Sequence, residues 1–152
     1  MIAGYTIPQL EDALLARIKE ALPQLKTVET FGGDSLEELR QIAFRFPAVY
    51  AVLREQKPAD DLREFGDVYG SRATFDLLVC CRNLRGEEGG RRGSGGAYEL
   101  LEGLRAALVG QTLGLAILPV EFDGEEAALI EKEMVVYKAT YVLAHEWQIE
   151  EE

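Results

Sequence analysis

Two stretches of the chain change side-chain character at every second residue, over a length that no turn or helix sustains. In Arg72–Asn83, Phe75, Leu77, Val79 and Cys81 fall on one side and Thr74, Asp76, Leu78 and Cys80 on the other. In Met134–Trp147, Val135, Tyr137, Ala139, Tyr141 and Leu143 alternate with Val136, Lys138, Thr140, Val142 and Ala144. A period of two predicts strands, so the fold must be organised around a sheet. Ala48–Arg54, rich in Val and Tyr, reads as a further buried strand, and Lys26–Phe31, bounded by Gly32-Gly33, as a short one. Leu113–Phe122, interrupted by Pro119, reads as another. Asp123-Gly124 is a turn signal, Ala127–Glu133 suits a strand or one helical turn, and the polar stretch Gln56–Gly70 reads as a loop.

Three amphipathic helices complete the pattern. Ile7, Leu10, Leu14, Ile18 and Leu22 recur at three and four residues, with Thr6 placed to cap and Pro8 in the first turn. Ser35 and Glu38 form a capping-box pattern before Leu36, Leu39, Ala43 and Phe46, and Pro47 ends that helix. Leu101, Leu104 and Leu108 line a helix over Ala97–Val109, with Gly110 as its C-cap. The order α-β-α-β-β-α-β-β predicts an α+β domain, a mainly antiparallel sheet with about three helices on one face. The 152 residues fit one domain over 1–152, without internal repeat or dividing linker.

Charge restricts the partners. The net charge is −11, so the chain's field repels phosphates and no membrane or specific nucleic-acid contact is expected. The charge is uneven. Cys81–Gly96 carries Arg82, Arg85, Arg91 and Arg92 against Glu87 and Glu88, while Val120–Glu152 carries ten acids against Lys132 and Lys138. Unlike surfaces of neighbouring proteins pair in this way. The segment 84–96, LRGEEGGRRGSGG, holds six of the fifteen glycines and too little apolar surface to order itself, so a flexible arm is expected there. An acidic tail is expected at 148–152.

No catalytic, cofactor or metal set is legible. His145 is the sole histidine and has no nucleophile motif beside it. The glycine-rich arm lacks the Gly-Lys-Ser/Thr of a phosphate loop, and Asp123-Gly-Glu-Glu lacks the spacing of a calcium loop. Cys80 and Cys81, adjacent in a strand, point to opposite faces, which makes a mutual disulfide poor and suits two buried thiols in a reducing compartment. No basic start followed by an apolar stretch marks Met1–Gln9, and no apolar run is long enough to span a bilayer.

Three stretches carry a family likeness: IPQLEDALLARIKEALPQLKTVETFGG, FPAVYAVL, and VCCRNLRGEEGGRRGSGGAYELLEGLRAALVGQTLGLAILPV. The run RNLRGE, RRG, GAYELLE and GQTLGL resembles a Mu-like family of tail terminators from contractile-tailed phages and prophages. The likeness spans Ile7 to Val120. It implies a small α+β subunit of a homo-hexameric ring on the head-proximal end of the tail tube. Such a ring stops tube and sheath polymerisation and offers a surface to neck or connector proteins. DNA only passes through its lumen. The place implied is the virion, after assembly in the host cytoplasm. Arg82, Asn83, Arg85, Arg91 and Arg92 are then the expected subunit or tube contacts. No enzymatic activity and no cofactor are implied. Two other readings stay open: an α+β interaction domain outside any phage, and a small nucleotide-binding enzyme using the glycine-rich loop.

Overall fold

A computed structural model describes residues 2–32, 36–59, 68–83, 91–93 and 96–149. Its elements are β1 (Ile2–Gly4), α1 (Ile7–Ala21), β2 (Thr27–Thr30), a 3₁₀-helical segment (Leu36–Arg45), β3 (Ala48–Pro58), β4 (Val68–Arg82), α2 (Ala97–Leu108), β5 (Glu121–Ile130) and β6 (Met134–Ile149). The class is α+β, as the pattern required. One six-stranded sheet runs β1-β6-β4-β3-β2, with β5 also paired to β6. All pairings are antiparallel except β2 with β3.

The two alternating strands lie side by side at the centre, in register from Val68↔Gln148 to Arg82↔Met134. Their two faces bury two separate cores. Val49, Ala51, Phe75, Leu77, Val79, Cys81, Val135, Ala139, Tyr141 and Leu143 pack under α1 and α2. Ala48, Tyr50, Leu78, Cys80, Met134 and Val136 pack with Leu39 and Phe46 on the opposite side. The helices are therefore not all on one face. The stretch expected to be the second helix is a kinked 3₁₀ segment, broken at Ile42 (φ −113°, ψ 19°), and it covers the far face. Its chain direction follows from the parallel β2–β3 pair, which needs a crossover between the two strands. The capping-box residue Ser35 lies outside the described residues.

α1 starts as expected. Thr6 Oγ1 accepts the Gln9 N–H at 3.2 Å and Gln9 Oε1 accepts the Thr6 N–H at 2.8 Å, a reciprocal cap. Leu10, Leu14, Leu15 and Ile18 are buried, whereas Ile7 stays exposed because it sits in the first turn, ahead of the packed stripe. α2 crosses α1 closely at Gly103, where a Cβ would stand 2.8 Å from Leu22 Cδ2.

Four local expectations are corrected. The β3–β4 strands extend into the stretch read as a loop, since Gln56–Pro58 pair with Ala73–Ser71 and Val68–Gly70 pair with β6; residues 60–67 lie outside the described residues. Leu113–Phe122 is no strand before Glu121. Gly110, Leu113 and Gly114 all take positive φ there, and Leu115 N–H bonds back to Thr112 O at 2.9 Å in a tight turn. Asp123-Gly124 does not turn the chain. It makes a bulge inside β5, between Phe122 and Gly124 in register, with Gly124 at φ +123°. Finally, Gln148 and Ile149, assigned to the acidic tail, complete β6 and pair with β1; residues 150–152 lie outside the described residues.

One edge of β6 is closed by three separate pieces. β5 covers Val135–Val142, Leu118 N–H bonds to Ala144 O at 3.0 Å, and β1 covers Trp147–Ile149.

Candidate assembly surface

The end of the sheet where β4 finishes and β6 begins gathers most of the residues expected to make contacts. Arg82 is the last residue of β4 and is exposed. Asn83 follows and clamps the β5–β6 turn. Its backbone N–H bonds to Glu133 O at 2.9 Å and its Nδ2 to Glu131 O at 2.7 Å. Asn83 thus fixes the point at which the arm leaves the sheet. The arm's residues 84–90 and 94–95, with Arg85, lie outside the described residues, and so does the expectation of its flexibility. Arg91 and Arg92 re-enter in a helical turn, Arg91 half-buried and Arg92 exposed. The charge of Arg91 acts on Tyr137 of β6. The cationic arm and the acidic β5–β6 turn, distant in sequence, therefore share one end of the molecule.

On the face that α1 and α2 leave uncovered, the sheet carries polar groups beyond the 3₁₀ segment. A bulge between Leu53 and Glu55 gives Arg54 a position of its own in β3. Its guanidinium takes Asp76 with both forks, Nε to Oδ2 at 3.0 Å and Nη2 to Oδ1 at 2.7 Å. Thr140 Oγ1 donates to Asp76 Oδ1 at 2.8 Å and accepts from Arg54 Nη2 at 2.8 Å. Three strands are tied together by one carboxylate. Its hydrogen bond is the main reason the Arg54 pKa lies above its ordinary value. Lys138 and Glu126 pair next to it, and Lys138 holds the Glu126 carboxyl below its ordinary range. The Asp76 network escaped the sequence. The one signal was a carboxylate within the apolar run of β4, which demands a partner; the partner depends on a bulge that no pattern announces.

The remaining chemistry-bearing groups are buried in the core. Cys80 and Cys81 belong to opposite cores, as alternation required, and both are free thiols. Burial pushes the Cys81 thiol up to about 12 and Cys80 upward as well. His145 is 4% exposed, and its Nε2 lies 2.7 Å from Gln56 Oε1. With Oε1 as the acceptor the proton belongs on Nε2, and Nδ1 has no partner among the described residues. Burial lowers the His145 pKa. Beyond it, Trp147 stacks on Tyr69 at 4.9 Å and donates to Ser71 Oγ at 2.9 Å. Among the described residues no three His, Cys, Asp or Glu gather as metal ligands, and no helix is long and apolar enough to cross a membrane.

The fold, a sheet with two helices on one face, is shared with a chain from the "Virion of native gene transfer agent (GTA) particle". The two superpose with a TM-score of 0.58 at 16% identity, over 94% of this chain and 99% of that one. The sequence model of the family described as "Bacteriophage Mu, Gp37" matches residues 6–150, and the chain belongs to that bacteriophage family. No curated protein sequence matches the chain.

Proposed function

We propose that the chain is a structural tail terminator. Copies of it, six to a ring, sit on the head-proximal end of a contractile tail tube, stop tube and sheath growth, and present a docking surface to neck or connector proteins. The observation that carries this reading is membership of a phage Mu family across residues 6–150. The sharing of a fold with a virion chain along nearly its whole length agrees with it.

The physical features fit the role. A closed ring needs heterologous contacts between unlike surfaces of one chain, and the arginines at one end of the sheet and the acids of β5 are such surfaces. A conduit for DNA must not grip it, and a chain of net charge −11 supplies no stripe of cations to neutralise phosphates. The arm rooted at Asn83 gives Arg82, Arg85, Arg91 and Arg92 to a neighbouring subunit or to the tube. Such a protein acts by shape and contact, without cofactor or catalysis.

Negative-stain images of the purified protein, alone and with tail tubes, test the reading. Six-fold rings, or a plug of protein on one end of each tube with tube growth halted, are expected. A monomer at high concentration that leaves tube ends bare and growing overturns it.

A further inference from the structure

His145 stands at one end of the sheet, past both cores. On β6 it follows Leu143, the last residue of that strand in the larger core, and its register partner on β4 is Ser71. Ser71 Oγ accepts the Trp147 indole N–H at 2.9 Å, and Trp147 stacks on Tyr69 with 4.9 Å between ring centroids. β1, only three residues long, pairs along Trp147–Ile149. It lies against that strand without clearance, since a Cβ at Gly4 would stand 2.8 Å from Glu146 O and 3.1 Å from Trp147 Cβ. None of residues 145–149 belongs to either core cluster. This end of the sheet is held by one histidine, one indole and a short edge strand.

The surroundings of the ring are uncharged. Its register neighbours on the same face are Ser71 and Tyr69 of β4 and Gln56 of β3, all neutral near pH 7. β1 has no titratable side chain. The stretch 113–118, which reaches β6 through the Leu118 N–H on Ala144 O, has none either. The Tyr5 hydroxyl is occupied by the Ala116 N–H at 2.7 Å. The nearest charges in the strands fall on the other face: Arg72 pairs with Ala144 and with Lys57, and Glu146 pairs with Gly70, each one residue out of step with His145. Burial alone lowers the His145 pKa. Among the described residues the ring has one polar partner, Gln56 Oε1 at 2.7 Å from Nε2, and Nδ1 is shut off from solvent.

An imidazolium carries two N–H donors and no acceptor. Gln56 can accept from one of them. A second proton therefore creates a buried N–H without an acceptor and a buried charge without a counter-ion, and both are destabilising. Because the cores are packed elsewhere, the least disruptive relief is to move the sheet end that carries the ring. We propose that His145 is an acid-sensitive latch: its second proton opens the end of the sheet, releasing Trp147–Ile149 and β1 while both cores stay packed. The latch belongs to the single subunit and is independent of the terminator reading. Its sign follows from linkage. The open form titrates near the ordinary 6.5 and the closed form below it, so opening is favoured about tenfold at pH 5.5 and hardly at all at pH 7.5.

Native-state amide exchange on the full chain tests the latch, read as protection factors so that the intrinsic pH dependence of exchange drops out. Trp147–Ile149 are expected to lose about tenfold in protection between pH 7.5 and 5.5. They are also expected to show a smaller urea dependence than Phe75–Cys81, which report the centre of the sheet. His145→Gln is expected to abolish the pH response. Gln56→Glu, at an exposed position, sets a carboxylate against the imidazolium and is expected to keep the end shut at pH 5.5. If His145→Gln does not fold, the parent and Gln56→Glu decide between them. Protection at Trp147–Ile149 that is equal at the two pH values overturns the proposal, as does a tenfold loss that persists in either variant. Exchange there with the urea dependence of the sheet centre also overturns it, because the only opening is then global unfolding.

Discussion

The Asp76 network predicts an asymmetry between its two ends. The Asp76 side chain is 11% exposed and that of Arg54 41%. In Arg54→Ala the carboxylate keeps, among the described residues, only its bond from Thr140 and loses its counter-ion while nearly buried. Hydrogen bonds to charged groups contribute about 1.5–3 kcal/mol each, and stranding a charge in a fully buried pair costs about 3–5 kcal/mol. Half-hydration of the arginine end reduces both, so about 2–4 kcal/mol is expected for Arg54→Ala. In Asp76→Asn the shape is kept, Thr140 keeps a partner, and Arg54 turns to water; about 1–2 kcal/mol is expected. Replacing both, as Arg54→Met with Asp76→Leu, removes the stranded charge and is expected to cost less than Arg54→Ala alone. Urea unfolding followed by Trp147 fluorescence measures all three, through midpoint shifts at an unchanged denaturant slope. If Asp76→Asn costs as much as Arg54→Ala, or the pair costs the sum of its parts, the carboxylate is not held by Arg54 in the way the geometry requires.

Other expectations follow from single residues. Because the folded His145 pKa lies below its ordinary 6.5, the unfolded chain takes up a proton first as pH falls; stability is complete above about 6.5 and declines below it toward the folded pKa, and His145→Gln flattens that slope in urea midpoints recorded against pH. Cys80 and Cys81 are expected to resist iodoacetamide in the folded protein at pH 8.5 and to react in urea; alkylation of the native protein at the rate of a free thiol contradicts their burial. Gly4→Ala places a Cβ 2.8 Å from Glu146 O at φ +114°, and is expected to cost about 1–3 kcal/mol and to release β1, seen as faster amide exchange at Trp147–Ile149. The free protein is expected to leave duplex DNA unshifted in a gel at physiological salt, and tight salt-sensitive binding contradicts the conduit role.

What could be read from the sequence was what repeats. The alternation in β4 and β6 assigned Phe75, Leu77, Val79 and Cys81 to one core and Leu78 and Cys80 to the other, because period two leaves no choice once a strand forms. The stripes of α1 and α2 were equally plain. Elements too short to repeat their period were invisible: the three residues Ile2–Gly4 form a strand only because β6 offers an edge. Leu36–Arg45 carries a helical stripe, and its placement on the far face is set by the crossover it must complete. Asp-Gly signals a turn wherever it stands, and only pairing with β6 makes Asp123-Gly124 a bulge. Asn83 bonds to the β5–β6 turn beside Arg82, and the charge of Arg91 acts on Tyr137 of β6; whether these residues make contacts is a matter for the assembly experiments. The Asn83 clamp and the Asp76 network depend on strand register, which local sequence does not state.

The three-piece edge of β6 also sets a timetable. β4 ends at Arg82, but its long partner begins only at Met134, and residues 2–4 find their mates at 147–149. While the ribosome is still working, β4 has β3 on one side and nothing on the other, with its apolar run from Phe75 to Cys81 half covered. Contacts this distant along a chain form slowly, and an unpaired apolar strand is open to wrong partners in the interval. The yield of usable subunits should therefore depend on how fast the chain is made, and slower synthesis in the cold should recover protein that rapid synthesis sends into aggregates.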